Sequence, residues 1–186
     1  MQPDKGLIQK VGAIVLAAGQ SRRMGQPKMV LPWGRGTVIE HVVGQLVAGG
    51  IGEIVVVTGG ARAAVETALS TCPVKLVHNP AYDRSEMLAS LQAGIRALGP
   101  ETQAMLVVLG DQPTIESEVV RQVAAYPGAK VAALVIPSYQ MRRGHPWLVG
   151  REFWDDLLGM GPEQTMRDFL RKYEQRIAYI QVDTPG

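Results

Sequence analysis

VGAIVLAAGQSRRMGQPK, residues Val11 to Lys28, decides how this chain is read. Val11 to Leu16 form a short apolar run rich in β-branched residues. Side chains of a strand alternate between faces, so a run that stays apolar is covered on both, as in a parallel sheet. A polar turn follows from Ala17 to Lys28, with Gly19 and Gly25 free to take positive φ or to let another backbone approach. Successive N–H groups in such a turn can form an anion-binding nest. Arg22, Arg23 and Lys28 add positive charge, and the combination suits a polyphosphate. Two common phosphate loops are excluded by spacing. Five residues separate Gly19 from Gly25, Lys28 comes three after Gly25 with Met29 following, and no G-x-G-x-x-G is present. The plain alternative is a basic, solvated surface loop.

Outward from this stretch the pattern repeats. Thr37 can cap a helix whose apolar positions Val38, Val42, Val43, Leu46 and Val47 recur at helical spacing until Gly49 and Gly50. Further strands are expected at Ile54 to Thr58, Val74 to His78, Ala104 to Leu109 and Val131 to Ile136. Helices are expected at Ala61 to Leu69, Ser85 to Leu98 and Glu116 to Tyr126. The rhythm then breaks in a basic segment, Tyr139 to Trp147, before helices at Arg151 to Leu158 and Glu163 to Lys172 and a last strand at Ile177 to Val182. This alternation predicts one α/β domain over residues 1–186: three layers, a mostly parallel sheet with helices on both faces, Rossmann-like. Ligands of such sheets bind outside the carboxyl ends of the strands.

The totals exclude several classes. The 186 residues carry a net charge of +2, with 46% apolar and 19% charged residues, so nothing calls for nucleic acid or a membrane as partner. No basic stripe is interleaved with aromatics. Met1 to Lys10 is short and polar, and no apolar run nears the roughly 20 residues of a membrane helix; a cytoplasmic protein is expected. Cys72 is the single cysteine and reads as a small filler before Pro73. There is no zinc-type Cys/His spacing and no G-x-S-x-G.

L-A-A-G-x-S-x-R-M-G-x-P-K after a first strand resembles the nucleotide-binding signature of the NTP transferases related to the molybdenum-cofactor enzymes. Asn79-Pro80, Ser90-Leu91-Gln92-Ala93-Gly94, Gly110-Asp111-Gln112-Pro113, Gly144-His145-Pro146 and Asp183-Thr184-Pro185 extend the likeness over nearly the whole chain. The Ala17-Ala18-Gly19 form is similar to the CTP:molybdopterin cytidylyltransferases, where guanylyltransferases usually carry two glycines. Two departures stand out: Glu86 precedes Met87 where the family commonly has Gly, and the chain stops soon after Asp183. The resemblance implies a Mg²⁺-dependent enzyme that moves a nucleoside monophosphate from an NTP to a phosphorylated small-molecule acceptor. It implies nucleotide contacts from Leu16, Ala17, Ala18, Gly19, Ser21, Arg23, Gly25, Lys28, Asn79, Ser90 and Gly94. Acceptor contacts would come from Gln112, Arg142, Arg143, Gly144 and His145, and metal ligation from Asp111 and Asp183. Catalysis would rest on Arg23, Lys28 and Asp111. A molybdoenzyme or chaperone is a conceivable protein partner. Guanylyl or sugar- and polyol-phosphate transfer, or a non-catalytic nucleotide-binding module, are the competing readings.

From the residues alone, Asp111 in a Gly-Asp-x-Pro turn is either a metal ligand or a turn former, and so is Asp183 before Thr184-Pro185. His41, inside a helix, reads as structural or surface, and His78 as a satisfied hydrogen-bonding residue that could also line the crevice.

Overall fold

The computed structural model describes residues 10–19, 27–82, 87–126 and 134–184. Of the expected features, Ser21, Arg22, Arg23, Gly25, Ser85, Glu86, the stretch 131–133 and Pro185 lie outside the described residues.

The first apolar run is strand β1 (Val11–Ala17), and alternation sorts its side chains into two cores. Val11, Ala13, Val15 and Ala17 join one cluster, and Ile14 joins the other. β2 (Glu53–Thr58) and β4 (Ala104–Leu109) split likewise, with Ile54, Val56, Leu106 and Val108 on the first face and Val55, Val57, Met105 and Val107 on the second.

Helices α1 (Val38–Ala48), α2 (Arg62–Ala68) and α4 (Ser117–Ala124) cover the first face. Helices α3 (Met87–Ala97), α5 (Trp154–Gly159) and α6 (Met166–Lys172) cover the second. Thr37 caps α1 as expected: Glu40 N–H donates to Thr37 Oγ1 (3.4 Å) and Thr37 N–H donates to Glu40 Oε2 (2.8 Å). Thr165 and Asp168 make the same box for α6, which therefore starts at Met166, not at Glu163.

The remaining strands of the main sheet are β3 (Lys75–His78), β5 (Leu134–Tyr139), β6 (Arg142–Arg143), β7 (Trp147–Gly150) and β8 (Ile177–Gln181), while Pro32–Trp33 and Gly36–Thr37 pair in a small antiparallel sheet of their own. Seven of the eight strands described in the main sheet are ordered β8-β5-β7-β4-β1-β2-β3, and β6 pairs on β5. β1 runs parallel to β2 and β4, β2 to β3, and β5 to β8. The predicted fold class is the observed one: a mostly parallel sheet with six α-helices on its two faces among the described residues.

Three further expectations are corrected. The segment after Tyr139, expected only as a break in the rhythm, belongs to the sheet: β5 turns at Gln140 and Met141 (φ 47° and 64°) into β6, and β7 inserts antiparallel between β4 and β5. The described part of the fifth strand runs on to Tyr139, beyond Ile136. The helix expected from Arg151 opens as a 3₁₀ turn, Arg151–Phe153, before α5. Among the described residues no helix is long and apolar enough to cross a membrane.

Candidate active site

β1 and β4 are neighbours with Leu16 in register with Leu109, and Gly110 N–H donates to Leu16 O (3.0 Å). Their carboxyl ends therefore deliver Ala18 and Gly19 beside Asp111. This is the edge where a parallel sheet leaves a crevice. A cleft of ≈ 390 Å³ opens there, lined by Leu16, Ala18, Gly19, Lys28, Met29, Tyr82, Met87, Ser90, Leu109 and Asp111. That volume falls within the range of about 300–1,000 Å³ usual for small-molecule sites. One cation, Lys28, and one carboxylate, Asp111, both exposed, share the lining with Ser90, Tyr82 and apolar residues that suit a flat ring.

The far wall is set by α3 and the end of β3. Asn79 is buried, and its Nδ2 donates to Ser90 Oγ (3.0 Å) while its Oδ1 accepts from Ala81 N–H (3.0 Å). Asn79 thus fixes the Ser90 hydroxyl at the cleft. Gly94, one turn on in α3, is buried against β1: a Cβ there would lie 2.5 Å from Ile14 Cγ2. It is absent from the cleft lining and serves close helix–sheet packing.

Gly59 is a site residue that pattern reading passed over. A Cβ on it would meet Ala18 O at 2.5 Å and Tyr82 Cβ at 2.8 Å, so only glycine lets the β2 end underlie the first loop. Tyr82, Met29, Met87 and Leu109 were also missed, because apolar lining residues look like core in a sequence. His78 is less satisfied than expected. Its Nδ1 is buried without a hydrogen-bond partner, and its ring lies tilted against Tyr82 with centroids 6.2 Å apart. His41 faces Trp33 (6.0 Å between centroids) and helps line a second hollow with Gln45, Pro113, Thr114, Ile115, Glu116 and Thr184.

On the side expected to hold an acceptor, the antiparallel course of β7 returns the loop before Trp147 to the same edge. Trp147 pairs with Val107, and His145 precedes it by two residues. The His145 ring stacks on Trp147 (4.6 Å, 17°), and Trp147 Nε1 donates to Gly144 O (2.8 Å). Burial pushes the His145 pKa down to about 4, against a smaller upward pull from the Asp111 carboxylate, so the imidazole is neutral at neutral pH. Arg143 is exposed and donates to Tyr179 OH (2.5 Å), and Arg142 is exposed beside it. Asp183 is exposed and is not a lining residue of the cleft.

No group of three or more His, Cys, Asp or Glu among the described residues could hold a metal ion. At the cleft, Asp111 is the carboxylate that could take one. Asp111 offers a carboxylate, and Gln112 Oε1 and His145 Nε2 are buried without hydrogen-bond partners. A single carboxylate suffices where substrate phosphates and water complete the shell of a cation such as Mg²⁺.

Residues 13–177 match the family described as MobA-like NTP transferase domain. Molybdenum cofactor cytidylyltransferase of Escherichia coli (strain K12) is 29% identical over 145 residues, 77% of this chain and 72% of that protein. Nicotine blue oxidoreductase of Paenarthrobacter nicotinovorans is 30% identical over 145 residues, 75% of this chain and 70% of that protein. Rv0371c of Mycobacterium tuberculosis H37Rv, solved in complex with manganese, has the same fold. Its TM-score is 0.79 at 22% identity, covering 94% of this chain and 89% of that one.

Proposed function

We propose a function from one premise: the chain belongs to the family of MobA-like NTP transferase domains. Its activity is that of a nucleotidyltransferase. Our finer reading is transfer of CMP from CTP to a phosphorylated acceptor of the molybdopterin type, with release of pyrophosphate. The cytoplasm, where NTP and Mg²⁺ are at hand, is the place of action we assign.

One observation carries this reading: Lys28, the Ala18–Gly19 backbone and Asp111 meet in a single cleft. In the reaction an acceptor phosphate oxygen attacks the α-phosphorus of the NTP and pyrophosphate leaves. Such a step needs positioning and charge neutralisation more than a protein nucleophile. Lys28 stabilises charge on the triphosphate, and the Gly19 backbone donates to its oxygens. Arg23, Ser21 and Gly25 take part in the same loop. Ser90, held by Asn79, faces the base. Gln112, Gly144, His145 and Arg143 face the acceptor. Mg²⁺ on Asp111, with Asp183 as a second ligand, would supply Lewis acidity and hold phosphate oxygens in line. Manganese in the Rv0371c complex supports a divalent cation here.

The Ala17-Ala18-Gly19 loop and the name of the Escherichia coli relative favour CTP over GTP. The oxidoreductase name of the second relative supports a different chemistry on the same fold. Pyrophosphate release separates the two. The test is calorimetric binding of CTP, GTP, ATP and UTP with Mg²⁺ to the protein and to Asp111→Ala, followed by pyrophosphate assay with molybdopterin. Mg²⁺-dependent CTP preference, lost with Asp111, supports the reading. GTP preference moves it to guanylyl transfer, and binding of none of the four refutes it.

A further inference from the structure

A nucleobase is flat, and a cleft that binds one gains affinity from a ring for it to lie against. Among the described residues that line the cleft, Tyr82 is the one aromatic side chain. Several elements build its seat. Gly59 and Gly60, just past β2, leave bare backbone beneath it. A Cβ on Gly59 would lie 2.8 Å from Tyr82 Cβ, and one on Gly60 would lie 3.0 Å from Cε2 and 3.6 Å from Cδ2 and Cζ. Asn79 ties down the turn that leads to it, its Oδ1 accepting from Ala81 N–H (3.0 Å). The His78 ring flanks it, with centroids 6.2 Å apart and planes tilted by 52°. A tyrosine that only filled the core would be covered all round. This one is seated on the glycine backbone and stays partly exposed where it lines the cleft. It also stands next to the first loop, since the same Cβ on Gly59 would lie 2.5 Å from Ala18 O. Leu16, Met29, Met87 and Leu109 supply further apolar lining, and methionine sulfur packs favourably on rings.

We propose that Tyr82 is the residue on which the base of the bound NTP stacks. The inference rests on the reading of the cleft as a nucleotide site, and it adds the group that holds the base by its face. Lys28 and the Gly19 backbone act on phosphates, which every NTP shares. Stacking likewise uses a face that every base has. Tyr82 therefore sets how tightly the nucleoside end is held, and the choice between bases falls to polar groups at the edge of the base.

The test is NMR of protein carrying ¹³C-labelled tyrosine rings, titrated with CTP and Mg²⁺, or with GTP where that is the nucleotide bound. Nuclear Overhauser contacts from base protons to one tyrosine ring are expected. They should vanish in Tyr82→Phe, which keeps a ring at this position but not the label. Calorimetry then weighs the ring. Tyr82→Phe should bind the nucleotide nearly as tightly as wild type, and Tyr82→Leu about 10-fold or more weakly, the order of one base–aromatic stack. Both variants should bind inorganic pyrophosphate with Mg²⁺ as wild type does, because pyrophosphate has no base. Bound nucleotide with no contact to a tyrosine ring overturns the inference and leaves the nucleotide reading of the cleft standing. Pyrophosphate affinity that falls in step with nucleotide affinity in Tyr82→Leu overturns it too, since the ring then only shapes the first loop. A loss in Tyr82→Phe equal to that in Tyr82→Leu assigns the effect to the hydroxyl and refutes stacking. Binding of neither CTP nor GTP refutes the nucleotide reading and the inference with it. The wild-type spectrum and the phenylalanine variant keep the test decisive should Tyr82→Leu fail to fold.

Discussion

Replacing Gly94 by Ala tests whether the cleft's far wall rests on one close helix–strand contact. The new methyl would lie 2.5 Å from Ile14 Cγ2, 3.0 Å from Cδ1 and 3.2 Å from Cγ1. Carbon atoms prefer separations of about 3.5–4.0 Å, so α3 must retreat or Ile14 must leave its rotamer. Ile14 is fully buried in the middle of β1 and has nowhere to swing. Overpacking of this kind costs about 1–3 kcal/mol. Alanine returns about 1 kcal/mol of helix propensity. The net loss is about 0–2 kcal/mol, or a midpoint lower by up to ~8 °C for a chain of this size. Urea and thermal unfolding read it directly. Ile14→Ala removes the obstructing atoms and alone costs about 2–5 kcal/mol. In the double variant the methyl added by Gly94→Ala fills part of that space, so the pair should fall short of the summed losses by at least ~1 kcal/mol. Additivity of the two losses within about 0.5 kcal/mol would refute the packing argument.

Lys28→Ala should lower turnover by roughly 10² or more, the usual loss for one charge-stabilising donor, and unchanged turnover removes Lys28 from the mechanism. Asp111→Asn should abolish the metal dependence of nucleotide binding while leaving the circular dichroism spectrum intact; calorimetry with and without Mg²⁺ reads this. Gly59→Ala pushes on Ala18 O from 2.5 Å, so strain of about 1–3 kcal/mol should appear as weaker nucleotide binding, measured by titration. Cys72 has its pKa raised, first by burial and then by the Glu40 carboxylate. A raised pKa means less thiolate at a given pH. Alkylation near pH ~8.5, where a free thiol is about half ionised, should therefore run slower than for free cysteine and converge with it at higher pH.

The central strands were readable because both of their faces are buried, which leaves runs such as Val11 to Leu16 apolar throughout. The helix starts at Thr37 and Thr165 follow from side chains that satisfy their own first turn, although only Thr37 was read as a cap. β7 was not readable. Its four residues, Trp147–Gly150, follow Gly144 and Pro146, and nothing local says that they enter the sheet backwards. The polar half of the cleft was legible because Lys28 and Asp111 have no place in a core. Its apolar half was not, since Met29, Met87 and Leu109 are the residues a core would also use. Gly94 was expected at the base through resemblance, and its tight contact with Ile14 gives it a packing role that spacing alone does not reveal.

The order of the strands also governs how the chain can assemble. β1 leaves the ribosome first, yet Ile14 pairs with both Val55 and Val107. One edge can close early through β2, but the other stays open until β4 has been made. Long-range pairing of this kind is slow, because loop closure precedes its reward. β4 in turn waits for Trp147–Gly150 before its outer edge is covered. For much of synthesis, the nascent chain carries an apolar strand with one unpaired backbone edge, a template for association with other chains. The strand that follows the His145 loop is therefore also the one that ends this exposure, and truncation before Gly150 would leave a sticky fragment rather than a smaller folded protein.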